Sequence, residues 1–248
     1  MRAVALARCF GGAVDFQRGR WSSAEQKLRE SVQLYRSIGG AFGEAIALQR
    51  LGVLLTARGD VAGALGVIDE GVVAGDRAVL RSHCLTRLFA ARARNRLAAG
   101  DHRGAAESIR AGEETGSRHA RCVTCNALLL PEIVRVALGQ GDGKRARVAA
   151  DELGRVAAQY GSRAWRAMAW QSEARVEARS ATGTERALDR FESAAALYEE
   201  IDYPYEVARC RLAQSELLRA RGDDVRAATL HQVASGILAA LGAAGIEH

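Results

Sequence analysis

A chain of 248 residues with 48% hydrophobic and 26% charged residues can bury a sizeable core and has the composition of an ordinary globular protein. Two prolines, 5% aromatics and an abundance of Ala, Leu, Arg and Glu leave little of what strands need, so an all-α fold is expected. The net charge of +6 is almost all arginine, Lys27 and Lys144 being the only lysines, and it is interleaved with Asp and Glu with no Lys/Arg run of five, which argues against direct nucleic-acid binding.

The opening segment, MRAVALARCFGG, places Arg8 inside what would be the apolar core of a signal peptide and offers no cleavage site. The longest uncharged run, QVASGILAALGAAGI (232–246), is broken by Gln, Ser and Gly, so no membrane span is expected. Five cysteines, at 9, 84, 122, 125 and 210, form an odd set in a chain too long to need disulfide staples. The expected compartment is the reducing cytoplasm.

Along the chain the punctuation is periodic. Gly59-Asp60, Gly100-Asp101, Gly141-Asp142 and Gly222-Asp223 recur at about 41 residues, with Gly19-Arg20 and Thr182-Gly183 filling the gaps. An alanine follows each five residues on (Ala24, Ala64, Ala105, Ala146, Ala187, Ala227), and four residues later comes Leu28, Ile68, Ile109, Ala150, Phe191 or His231. Each unit reads as two amphipathic helices, the glycine ending the first and the acidic residue starting the second, with the small alanine letting the pair approach closely. The expected repeats are approximately 1–40, 41–80, 81–120, 121–161, 162–202 and 203–248, forming one all-α domain: a right-handed superhelical solenoid of about six helical hairpins. Pro131 falls inside a predicted helix and should kink it or displace its start. His102 and His231 are expected to be structural.

The pattern Leu51-Gly52, Leu55, Gly59-Asp60, Ala64, Ile68 resembles a tetratricopeptide repeat, with a period near 41 in place of about 34. The longer period, and the segment FESAAALYEEIDYPYEVARCRLAQSELLRARGD (191–223) in particular, is similar to the helical-repeat region of the large ATP-binding LuxR-type transcriptional regulators and related bacterial signalling proteins. The chain lacks two features of those regulators. LGQGDGKR has Leu138 and Arg145 where a phosphate-binding loop needs Gly and Ser/Thr, and no helix-turn-helix follows the last repeat. The resemblance implies a non-catalytic interaction or effector-sensing module, either a free-standing repeat protein or, as the apolar ends MRAVALA and ILAALGAAGI suggest, one excised from a longer polypeptide. Its partner would be a protein or peptide, with further association through apolar solenoid ends.

Projecting tetratricopeptide groove positions onto this repeat selects Gln49, Val53, Arg87, Arg94, Arg135 and Arg209. Arg94 and Arg135 stand one period apart, and two guanidiniums on one ladder could clamp a carboxylate or phosphate bidentately, as on an acidic partner.

A different chemistry is suggested by RHARCVTC (118–125), where His119, Cys122 and Cys125 follow at three-residue steps. Cys84 precedes Cys125 by one period, and stacked helices about 8–10 Å apart would bring matching positions within reach of one ion. Cys84, Cys122 and Cys125 with His119 make a complete tetrahedral zinc set, His83 being a spare ligand, and an iron–sulfur cluster is the other cofactor such thiols could hold. A thiol–disulfide switch and inert packing of small apolar side chains are the alternatives. A metal or redox sensor is therefore the second functional expectation. No H-E-x-x-H, G-x-S-x-G or paired-carboxylate arrangement points to an enzyme.

Overall fold

The computed structural model describes residues 1–118, 122–180 and 182–243. These form twelve α-helices: α1 (Arg2–Gln17), α2 (Trp21–Ser37), α3 (Ala41–Arg58), α4 (Val61–Asp76), α5 (Arg81–Ala98), α6 (His102–Arg118), α7 (Val123–Gly139), α8 (Gly143–Tyr160), α9 (Arg163–Glu177), α10 (Thr184–Glu200), α11 (Pro204–Ala220) and α12 (Asp224–Leu241). The fold class is an all-α helical repeat, and consecutive helices fall on the expected 41-residue units.

The turns form for the reasons visible in the sequence. Gly59 ends α3 in the left-handed region at φ 88°, a conformation that costs a side-chain-bearing residue dearly. Asp60 then accepts a hydrogen bond from the Gly63 N–H and caps α4. Asp101, Asp142 and Asp223 do the same for the amides of Gly104, Arg145 and Arg226.

The chain divides into two compact units, the first over Met1–Glu132 and the second beginning at Ile133, the boundary lying inside α7. In the first unit α1 pairs with α2, α3 with α4 and α5 with α6; α2 packs on α3 and α4 on α5, while α1, α3 and α5 touch in series. Ala24, Ala64 and Ala105 are fully buried. At the closest approach of α3 and α4, a Cβ added to Gly52 would lie 2.4 Å from Ile68 Cγ1. In the second unit α9 pairs with α10 and α11 with α12, joined by α8 on α9 and α10 on α11, and Ala146, Ala187 and Ala227 are again fully buried.

Pro131 lies inside a helix, as the pattern predicts: α7 begins at Val123 and carries the proline in its interior, where the missing N–H leaves the Ala127 carbonyl without its helical donor. The two histidines expected to be structural, His102 and His231, are exposed helix residues. At His231 the repeat position filled elsewhere by Leu28, Ile68 or Phe191 faces solvent, with Ser235 Oγ 3.4 Å from its Nδ1.

Candidate functional site: a thiol and imidazole cluster

Two helix N-termini build the site. Cys122 immediately precedes α7, and its carbonyl accepts from the Cys125 and Asn126 amides at 3.1 and 2.9 Å, which makes it the N-cap residue. Cys125 follows in the first turn of α7, and His83 lies in the first turn of α5. Their ligand atoms (Cys122 Sγ, Cys125 Sγ and a ring nitrogen of His83) all lie within 4.8 Å of one another, with Cys125 Sγ 3.4 Å from His83 Nδ1. Cys125 is buried, while Cys122 and His83 are half-buried and reachable from solvent.

Two polar side chains support the sulfurs. Arg87, one turn beyond His83 on α5, donates from Nε to Cys125 Sγ at 3.3 Å. Thr124 Oγ1 lies 3.3 Å from Cys122 Sγ.

The thiols are electrostatically unequal. Burial works against ionisation of Cys122, but hydrogen bonds from the Thr124 hydroxyl, the Cys125 thiol and the Cys125 backbone, with the charge of His83 nearby, outweigh it and bring Cys122 down to about 6. Burial pushes Cys125 up despite the bond and charge of Arg87. Burial also raises Cys84 to about 11 and Cys210 to about 12, and it raises Cys9. All five cysteines are free thiols. In metal-free protein, Cys122 is thus the thiol that alkylates first. Its rate should be near its plateau at pH 7 and fall as pH drops through about 6, where the thiolate takes up its proton, while Cys84 and Cys210 stay inert in the folded chain; iodoacetamide labelling read by peptide mass spectrometry checks this order.

Cys84 is not part of the cluster. It is fully buried in an apolar core with Cys9, Leu48, Ile68, Leu88 and Ala91. It lies near enough to Cys125 for that thiol's charge to add to the effect of burial on it, but outside the three ligand atoms that fall within 4.8 Å of one another. Cys125 meets His83 and Arg87 of α5, at separations of 42 and 38 residues. His119 lies outside the described residues. Of the ligands expected from the sequence, the described residues bring together Cys122, Cys125 and the spare ligand His83.

The groove candidates are engaged within the chain. Arg94 Nε is 2.9 Å from Glu132 Oε1, a carboxylate on a residue only 1% exposed. Arg209 pairs with Glu206 at 2.9 Å and stands over the Tyr205 ring. Gln49 is buried in α3, and Arg135, half-buried on α7, lies in the second compact unit while Arg94 lies in the first. The acidic partner expected for Arg94 meets a guanidinium that already holds a carboxylate.

A buried charge cluster was not foreseen. Asp15, 4% exposed, accepts from Lys27 Nζ at 2.5 Å, Ser23 Oγ at 2.7 Å and Arg20 Nε at 2.8 Å. The signal was available, because Asp15 is the only acidic residue before Glu25 and sits among apolar helix positions.

Among the described residues, no helix is long and apolar enough to cross a membrane. An all-α helical repeat carrying a compact sulfur and imidazole cluster is the class of protein that fold and site define. No family model matches the chain, and no curated protein does. Among solved structures it is similar to BtubC (BKLC) from P. vanneervenii, with 15% identity over 95% of this chain and 94% of that one and a TM-score of 0.56. That likeness is one of fold alone.

Proposed function

We propose that this chain is a non-catalytic interaction module of a bacterial signalling or transcriptional regulator, working in the cytoplasm, where its five free thiols stay reduced. The observation that carries the interaction role is the outer face of α1. Val4, Leu6, Phe10 and Val14 are each about half exposed there. Beside them a recess of about 460 Å³ is lined by Ala3, Val4, Ala7 and Gly11, with Arg8 and Lys27 at its rim. Contiguous exposed apolar side chains rimmed by polar ones are typical of a surface that meets another protein. The partner that fits is a protein offering an amphipathic helix, its apolar side laid along α1. The regulator setting comes from the similarity of the 41-residue repeats.

A photo-crosslinking residue in place of Phe10, in the full chain within its native host, tests this. The expected result is a discrete adduct with one partner protein that disappears when Val14→Glu is added, helicity being unchanged. Adducts that persist undiminished in the Val14→Glu chain, or none at all, would contradict the reading. The His83–Cys122–Cys125 cluster favours a second role on the same chain, sensing through thiol or metal chemistry.

A further inference from the structure

The geometry points to a metal site: we infer that His83, Cys122 and Cys125 bind one thiophilic divalent ion, zinc in the first instance, through two thiolates and one imidazole, these three being the ligands among the described residues. This inference is independent of the α1 interaction surface, which shares no residue with it.

Three observations carry it. The first is distance. Zinc bonds of about 2.3 Å to sulfur and 2.0–2.1 Å to nitrogen set neighbouring ligand atoms of a tetrahedron about 3.5–3.8 Å apart. Cys125 Sγ and His83 Nδ1 are already 3.4 Å apart, and all three donors fall within 4.8 Å, so closure onto an ion needs movements of about an ångström at side chains alone.

The second is the compensation of charge. Two thiolates are costly beside an apolar core unless something answers their charge. Here Cys122 caps α7, where the helix dipole and free amides favour an anion, and the Arg87 guanidinium donates directly to Cys125 Sγ. A hydrogen bond to a ligating sulfur from outside the coordination sphere is the support that holds metal ligands in place. On binding, any proton still held by either thiol leaves to solvent and the ion enters with no change of oxidation state.

The third is placement. The donors come from two different elements, the start of α5 and the entry to α7, and two of the three are half-exposed, so an ion has a path in and its capture ties consecutive repeats together. Soft sulfur donors select zinc, cobalt or copper(I) over magnesium and calcium.

The test uses the full chain, stripped with a chelator, kept reduced with a non-thiol reductant and titrated with Co(II) and then Zn(II). The expected result is one equivalent of cobalt with thiolate-to-metal charge-transfer absorption and the intense visible bands of tetrahedral geometry, displaced stoichiometrically by zinc. His83→Ala and Cys122→Ser, both at half-buried positions, should each weaken binding at least tenfold with helicity unchanged, whereas Cys84→Ser should bind as wild type. Absence of the charge-transfer band in the wild-type chain would overturn the site. So would unchanged affinity in His83→Ala, or loss of binding in a folded Cys84→Ser chain.

Discussion

Replacing Leu88 by Ala should destabilise the first unit by about 2–5 kcal/mol, the range for removing a buried leucine from a packed core. Leu88 is fully buried on α5. It fills the space left by two glycines of α4: a Cβ added to Gly71 would lie 2.5 Å from Leu88 Cδ2, and one on Gly75 would meet Cδ1 at 3.3 Å. The same Gly71 position faces Leu48 Cβ of α3 at 3.2 Å, so one glycine lets α4 nest against both neighbours. Truncating Leu88 empties that contact, and helices held by backbone proximity cannot slide in to refill it. Because repeat arrays need not unfold in one step, amide exchange in α4 and α5 is the sharper readout. Those amides should lose protection while α9 to α12 keep theirs. Uniform protection across the chain, or a wild-type denaturation midpoint, would refute the packing.

Asp15→Asn should cost about 2 kcal/mol and flatten the acid limb of stability. Its carboxylate accepts charge-assisted hydrogen bonds from Lys27 and Arg20 and a neutral one from Ser23; the two cations are partly exposed and relax into water when the acceptor goes, which holds the loss near the lower part of the usual range. The bonds from Lys27 and then Ser23 outweigh burial and hold this carboxyl well below the usual carboxylate range. A depressed folded value stabilises the protein fully above the ordinary carboxyl pKa of about 4. That contribution declines as pH falls below it and is gone once pH passes the folded value. Glu177 and Glu192, whose arginine partners Arg147 and Arg211 lower them too, add to the same limb, so Asp15→Asn should reduce its slope without abolishing it. Chemical denaturation between about pH 2 and 6 measures this; an identical pH dependence in the variant would contradict the charge network.

The fold was legible because its information is local and repeated. The Gly-Asp turns carry both the left-handed glycine and the cap, and the alanine five residues on marks where two helices must come close, so six copies of one pattern set the register of twelve helices. Asp202 shows where the pattern bends: it takes φ 62° without glycine's freedom, at a turn between repeats where the sequence offers IDYP. The cluster was only half legible. C-x-x-C at 122–125 announced itself, but the choice between His83 and Cys84 depends on which way two adjacent side chains point from α5, about 100° apart around a helix. A period of 41 brings Cys84 near enough to Cys125 to feel its charge, yet the hydrogen-bonding contacts of Cys125 fall to positions 83 and 87. The same offset governs Arg94, whose partner is Glu132 at 38 residues, so spacing alone could not reveal that the groove guanidinium was already paired.

The central claim, that two sulfurs and one imidazole converge on one ion, is tested most directly by X-ray absorption at the zinc edge of the reconstituted full chain. The account predicts two sulfur scatterers at about 2.3 Å and nitrogen or oxygen at about 2.0–2.1 Å, with the imidazole outer-shell signal reduced in His83→Ala. A shell of three or four sulfurs, which would draw Cys84 out of its apolar core, or one of oxygen and nitrogen alone, would contradict it.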